Sequence, residues 1–416
     1  MSIDPGGTAR TLLITLTGPD RPGVTATLTA ALANHDLLIL DVEQVVIRSR
    51  LTLGVLLGPL HERGSGAVID VEGASVTAHA VAAELEMAVE ITPGAEEHDD
   101  RRRGRLLVTV LGHPLLPAAL SGLTRTISAL GGNIDRIVRT ASYPVTAIEL
   151  SVSGADQQQL RTALAAESAA LGVDVAVQRA GLRGRGTHLV VMDVDSTLIQ
   201  DEVIELLARH AGCEDEVRNV TERAMRGELD FAQSLHTRVA LLEGLPASVL
   251  TDVYRELRLT PGARTLVRTL KRLGFRIAVV SGGFSAVVDP LAEDLGIDHS
   301  RANVLEIVDG ALTGRVIGRV IDRAAKAAAL IEFAHVEGVP LDRTVAIGDG
   351  ANDLDMLAVA GLGIAFNAKP VVRAQADTGI TAPFLDPVLY LLGITREEIE
   401  QADAEAGTPT PAPPVR

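Results

Sequence analysis

Apolar positions along the chain follow two periods, and the switches between them mark out its elements. Residues 11–17 (Thr-Leu-Leu-Ile-Thr-Leu-Thr) read as a strand, and Val24, Leu28, Ala31 and Leu32 fall at helical spacing within 24–34. Residues 37–47 and 51–57 read as a strand pair, 68–85 as a helix and 87–91 as a final strand. The order β-α-β-β-α-β is the ferredoxin-like arrangement. It then recurs with strands at 105–111, 134–140, 146–152 and 173–178 and helices at 116–130 and 157–171. A repeat of about ninety residues implies two copies of one small module. The charge-dense stretch 94–104 between them reads as a solvated linker, and 181–186, rich in glycine, as a flexible one.

From residue 189 the rhythm changes. A short apolar strand, Leu189–Met192, precedes a nearly all-helical stretch at about 203–261. A helix at 263–273, a strand at 275–280, a hairpin around 304–316, a helix at 324–337 and strands at 344–347 and 363–366 follow. Alternating β and α elements predict a Rossmann-like, mostly parallel sheet covered on both faces, with the helical insertion as a small cap. The expected organisation is therefore α/β. Two ferredoxin-like modules occupy 1–97 and 98–182, a capped core 187–396, and a disordered tail, rich in Ala and Pro, 397–416.

Composition narrows the function classes. The formal net charge is −16, and no platform of basic and aromatic residues is present, which argues against non-specific nucleic-acid binding. With 2% aromatic residues and no Trp, the cores must be built from aliphatic side chains. The single cysteine, Cys213, excludes an intrachain disulfide, reads as structural, and fits a reducing cytoplasm. The N-terminus lacks a basic stretch followed by an apolar one, so no signal peptide is expected, and no apolar run is long enough to span a bilayer.

The chemistry lies at strand ends. The first core strand runs into Asp193-Val-Asp195-Ser-Thr, the second into Ser281-Gly282-Gly283 and a later one into Gly348-Asp349-Gly350-Ala-Asn352-Asp353; a helix carries Lys326. In open parallel sheets, ligands bind just beyond the carboxyl ends of strands. Clustered carboxylates suit Mg²⁺, and a lysine and a serine hydroxyl suit the oxygens of a phosphoryl group. No His/Cys cluster points to zinc or iron, and no Ser-His-Asp set or Walker-type loop is present.

These four motifs, in this order, resemble the haloacid dehalogenase superfamily. Glu202, and the stretch from Met225 through Phe231 to Arg238, narrow the resemblance to its phosphoserine phosphatases over about 187–395. The resemblance implies Mg²⁺-dependent hydrolysis of O-phospho-L-serine, the last step of serine biosynthesis. Asp193 would be the nucleophile and Asp195 the acid and base. Asp193, Asp195 (through its main-chain carbonyl) and Asp349 would hold the metal, with Asp353 supporting them. Ser281, Gly282, Lys326 and Asn352 would bind phosphate, Glu202 the ammonium and Arg238 the carboxylate, while Met225 and Phe231 would cover the substrate. Two other readings stay open: a phosphatase of the same superfamily for another metabolite or phosphoprotein, and an amino-acid sensor with a vestigial phosphatase.

The turn Gly18-Pro19-Asp20-Arg21-Pro22-Gly23 resembles that of the ACT domain, a small module that binds amino acids, over about 10–92. That implies an effector such as L-serine at Gly18, Asp20 and Gly23. The second copy has Gly112-His113-Pro114-Leu115 at that place, which puts ligand binding there in doubt. Exposed sheet edges on two such modules imply at least a dimer.

Overall fold

The computed structural model describes residues 8–9, 11–60, 69–94, 105–180, 188–226 and 228–408. Most of the first expected linker, all of the second, and the last residues of the tail lie outside them. Contacts divide the chain into two bodies, 1–100 and 101–416.

The first body has the expected order: β1 (Thr11–Pro19), α1 (Val24–Leu32), β2 (Leu37–Ile47), β3 (Arg50–Pro59), α2 (Val71–Glu84) and β4 (Ala88–Gly94). The strands form an antiparallel sheet in the order β2-β3-β1-β4. Leu12, Ile14 and Leu16 alternate onto its covered face, where Leu28, Ala74 and Ala78 of the two helices meet them. Gly18 and Pro19, expected in a turn, instead continue the strand opposite Leu51 and Arg50. Gly18 is required there, because a Cβ would lie 2.7 Å from the Met87 side chain. The turn proper ends at Gly23 (φ +96°), after which α1 starts with no side chain capping it.

The second body begins with the repeated module: β5 (Leu106–Gly112), α3 (Pro117–Ala129), β6 (Asn133–Ala141), β7 (Thr146–Ser153), α4 (Gln157–Leu171) and β8 (Asp174–Arg179), its sheet ordered β8-β5-β7-β6. Here the two copies differ. The strand β1 alternates between buried and partly exposed residues, whereas β5 is almost continuously buried. Continuous burial means both faces are covered, and the second cover is the catalytic core. Leu111, Val145, Ala147 and Ala176 join the core's own apolar cluster. The His113 ring lies 6.2 Å from that of Phe384. Tyr390 Oη donates to Tyr143 O at 2.8 Å and Gln178 Nε2 to Leu391 O at 2.7 Å. The Gly112-His113-Pro114 turn, divergent from its counterpart in the first copy, is thus part of an internal seam.

The core sheet has seven strands: β9 (Leu189–Met192), β10 (Arg276–Phe284), β11 (His299–Val308), β12 (Ala311–Ile317), β13 (Thr344–Gly348), β14 (Leu362–Phe366) and β15 (Thr378–Ile380). Their spatial order is β12-β11-β10-β9-β13-β14-β15, all parallel except the edge strand β12. Central β9 is buried throughout; Val190 and Met192 pack into one apolar cluster and Leu189 and Val191 into the other. The cap is α5 (Val203–Ala211), α6 (Glu214–Met225), α7 (Phe231–Ala240) and α8 (Val249–Glu256). Helices α9 (Ala263–Arg272), α10 (Ser285–Leu295), α11 (Arg323–Val336), α12 (Leu354–Val359), α13 (Pro370–Arg373) and α14 (Pro387–Leu391) complete the core.

The expected disordered tail needs correction at its start. Residues Arg396–Glu405 form a helix, α15, capped by Thr395 and Glu398. Asp403 is fully buried and paired with Arg268 at 2.7 Å and Arg272 at 2.5 Å, both on α9. Composition alone suggested disorder; two distant arginines fold the segment. Residues 409–416 lie outside the described ones.

Candidate active site

Strands β9, β10 and β13 deliver the sequence motifs to one edge of the sheet, beneath the cap. A cavity of about 430 Å³ opens there. Asp193, Asp195, Gly282, Asp349 and Asn352 line it from the core, and Glu202, Phe231 and Arg238 from the cap side. The side chain of Met225, the last residue of α6, lies outside the described residues. Sequence reasoning missed Ser234 and Leu235, which also line the cavity. With Phe231 and Arg238 they make an i, i+3, i+4, i+7 stripe on α7, so helical spacing could have found them.

Lys326, with no exposed surface, lies at the floor: its Nζ is 2.8 Å from Asp193 Oδ1 and 2.7 Å from Asp353 Oδ1. Burial alone would lower its pKa, but the two carboxylates outweigh that and raise it. The Asp193 carboxylate also accepts the Val194 N–H at 2.7 Å. Burial still pushes its pKa well up, the Asp353 charge adds to this, and Lys326 opposes it. Asp353 accepts the Gly350 N–H at 2.9 Å, which holds its second oxygen. Thr197 Oγ1 donates to Asp349 at 3.2 Å, and burial followed by the Asp353 charge pushes Asp349 up to about 6.

Carboxylate oxygens of Asp193, Asp349 and Asp353 lie within 4.8 Å of one another. Three hard oxygen donors with one lysine between them fit a divalent cation of the Mg²⁺ type. Asp195 directs its carboxylate elsewhere: Oδ1 accepts the Val203 N–H at 2.8 Å and Oδ2 the Ser281 hydroxyl at 2.9 Å. Burial raises its pKa against those two bonds. Ser281 in turn accepts the Gly283 N–H at 2.7 Å, so its hydroxyl is engaged beneath the cavity rather than facing it. Asn303, which sequence reasoning missed, is buried between two loops. It donates to Gly282 O at 2.8 Å and accepts the Ile321 N–H at 2.8 Å, tying the Ser281 loop to the entry of α11.

Glu202 sits at the start of α5. Burial, followed by the Asp195 charge, pushes it up to about 7. Its Oε1 accepts the Ser196 hydroxyl at 2.7 Å. Ser196 is left-handed (φ +56°), a conformation that strains a non-glycine residue. The same backbone geometry presents its hydroxyl to Glu202. Arg238 is half-buried; burial lowers its pKa, opposed by Glu202 and Asp195.

The raised values have a thermodynamic consequence. Asp349, Glu202, Asp193 and Asp195 all hold protons more tightly folded than unfolded. Their contribution is fully present below the unfolded pKa values and is lost as pH rises through the folded ones, about 6 for Asp349 and about 7 for Glu202. Metal-free protein is therefore expected to lose stability between about pH 4 and pH 7. A divalent cation favours the charged carboxylates and reverses this. At a Mg²⁺ concentration a hundredfold above Kd, stabilisation of about 2.7 kcal/mol is expected at pH 8 and clearly less at pH 5. Denaturant melts with and without Mg²⁺ at both pH values measure it; equal stabilisation would sink the account.

The site also matches known proteins. Residues 190–358 match the haloacid dehalogenase-like hydrolase family, and 10–75 and 106–178 each match an ACT domain family. The chain is 60% identical over 396 residues to phosphoserine phosphatase of Streptomyces coelicolor, covering 95% of each chain. It is 52% identical over 400 residues to phosphoserine phosphatase SerB2 of Mycobacterium tuberculosis, covering 94% of this chain and 95% of that one. Among solved structures, a probable phosphoserine phosphatase from Vibrio cholerae aligns with TM-score 0.56 at 36% identity, covering 73% of this chain and 90% of that one.

Proposed function

The chain belongs to the phosphoserine phosphatase family of haloacid dehalogenase-like hydrolases, and from that premise we propose that it hydrolyses O-phospho-L-serine to L-serine and phosphate, with Asp193 as nucleophile. The observation that carries the reading is one cavity with carboxylates and a lysine at its floor and Glu202 and Arg238 at its side. Phosphoryl transfer depends mainly on positioning and charge neutralisation. A zwitterionic substrate needs one anion and one cation beside the reacting centre, and Glu202 and Arg238 are that pair.

The steps follow from the geometry. The Asp193 carboxylate attacks phosphorus and the bond to the serine oxygen breaks. Asp195, whose raised pKa favours the protonated form, gives that oxygen its proton. Water then attacks the aspartyl-phosphate, Asp195 takes its proton, and Asp193 leaves as a carboxylate. Lys326 holds Asp193 in line and offsets the charge of the phosphoryl oxygens, with the Gly282 N–H and Asn352 as further donors. Ser281 would reach phosphate only on releasing Asp195. The α7 stripe excludes bulk water while the aspartyl-phosphate persists. Mg²⁺, held by the Asp193 and Asp349 carboxylates and the Asp195 main-chain carbonyl, with Asp353 supporting, would supply charge neutralisation at the phosphoryl group.

Substrate assignment is tested by comparing O-phospho-L-serine with a simple aryl phosphate. Glu202→Gln, Arg238→Ala and Ser196→Ala are each expected to raise KM for phosphoserine by about tenfold or more, the loss of roughly one charge-assisted bond. The aryl phosphate rate should change little. A parallel fall for both substrates would assign these residues to folding rather than recognition.

We further propose that the first module is regulatory. Its uncapped α1 N-terminus, after Gly18, Asp20 and Gly23, offers free N–H groups to an amino-acid carboxylate, with L-serine as effector. L-Serine should change the rate or assembly state of the wild-type chain, and this response should be lost in Gly23→Val. No response at saturating L-serine would remove the proposal. The exposed apolar strand β2, with Leu38, Val42 and Ile47 open to solvent, fits a second copy of the chain, making a cytoplasmic homodimer or larger assembly. Among the described residues no helix is long and apolar enough to cross a membrane.

A further inference from the structure

Where the second module meets the core, a cavity of about 690 Å³ opens between α4, the start of β8 and the segment 370–379. Nothing in the hydrolytic mechanism uses it. Four charged side chains line it: Arg161 and Asp174 from the module, Arg373 and Asp377 from the core. Asp377 is fully engaged, with Arg161 Nη1 at 2.5 Å and the Gly363 N–H at 2.8 Å. Asp174 is not. It is 5% exposed, and its Oδ2 accepts both the N–H and the hydroxyl of Thr381, at 2.7 and 2.9 Å. Its Oδ1 is buried and accepts no hydrogen bond. The Arg373 guanidinium stands 3.7 Å from it, beyond bonding distance.

A buried carboxylate oxygen with no donor is costly, and such groups ordinarily find a partner. Burial raises the Asp174 pKa, against the Thr381 bonds and Arg373. The open functionality of the cavity is therefore one carboxylate oxygen and, beside it, one guanidinium not bonded to it. An ammonium completes the first and a carboxylate grips the second. The rest of the wall includes Ala165 and Ala169 of α4, which leave room for a short aliphatic side chain.

We propose that this cavity is a binding site for a free aliphatic amino acid, its ammonium on Asp174 Oδ1 and its carboxylate on Arg373. The site is separate from the Gly18–Gly23 turn and does not rest on the hydrolytic reading. A ligand there touches both the second module and β15, which pairs with β14 and through it with β13, the strand that ends at Asp349.

Calorimetry on the full chain with glycine, L-alanine, L-valine and L-leucine, each alone, tests the proposal; L-serine is avoided because it is the product at the catalytic cavity. Isobutylamine and isovalerate serve as half-ligands. At least one amino acid should bind saturably, both half-ligands more weakly. Asp174→Asn and, independently, Ala165→Trp, which fills the cavity from an exposed helix face, should each weaken binding by roughly tenfold or more. Turnover of O-phospho-L-serine without added amino acid should persist in both and confirm that they fold. Absence of binding by all four amino acids, unchanged affinity in Ala165→Trp, or equal binding of isobutylamine would each overturn the proposal.

Discussion

Asp193→Asn is expected to stop turnover of O-phospho-L-serine, lowering the rate on the order of 10⁴-fold or more, while the fold survives. The amide has the shape of the carboxylate, so its oxygen can still accept the Val194 N–H and the Lys326 ammonium, now 2.7 and 2.8 Å away. What it lacks is the charge and the lone-pair basicity that attack on phosphorus needs. The substitution also takes one anion from the group Asp193, Asp349 and Asp353. Stabilisation by Mg²⁺ should therefore shrink in the same variant. Phosphate release, serine release in a single turnover, and a Mg²⁺-dependent melt are the measurements. A rate within tenfold of wild type would exclude Asp193 as nucleophile.

The second large effect is expected at Lys326. Lys326→Met fills the space with an apolar chain but leaves Asp193 and Asp353 buried without their shared cation. Breaking a buried ion pair from one side costs about 3–5 kcal/mol, because the remaining charge is uncompensated. Here two carboxylates are stranded. The denaturation midpoint should drop accordingly, and activity should vanish because an anionic phosphoryl group would meet only anions. The deficit should be smaller at pH 5 than at pH 8. Freed of the ammonium, these carboxylates protonate more readily in the folded state, and protonation removes the penalty. Mg²⁺ should recover part of the lost stability but not the activity. A midpoint shift below about 1 kcal/mol would mean that Lys326 does not neutralise the cluster.

Both predictions concern residues legible in the sequence, because strand ends are local features. Leu189–Met192 announces a buried strand, and the aspartates that follow must lie at its carboxyl end. Three such ends and one helix in a parallel sheet can only converge. Glu202, Phe231 and Arg238 were legible through resemblance, and the cavity gathers all three. Ser196 was visible as a letter in the motif, yet its hydrogen bond to Glu202 depends on a left-handed backbone that no period reveals. Asn303 was missed because it stands in a hairpin strand with no motif of its own, and only the approach of Gly282 and Ile321 gives it a role.

The sequence by itself determined the repeat of two ferredoxin-like modules, the capped α/β core and the carboxylates at its strand ends. Periodicity and strand-end chemistry are set by neighbours along the chain. Only the tertiary structure decided which faces are covered twice and which buried charges find partners. It placed the second module's Gly112-His113-Pro114 turn against Phe384, folded the Ala-rich end through Asp403, and left Asp174 Oδ1 without a hydrogen bond. These outcomes depend on residues far apart in sequence, and the burial they create sets the strength of each charge.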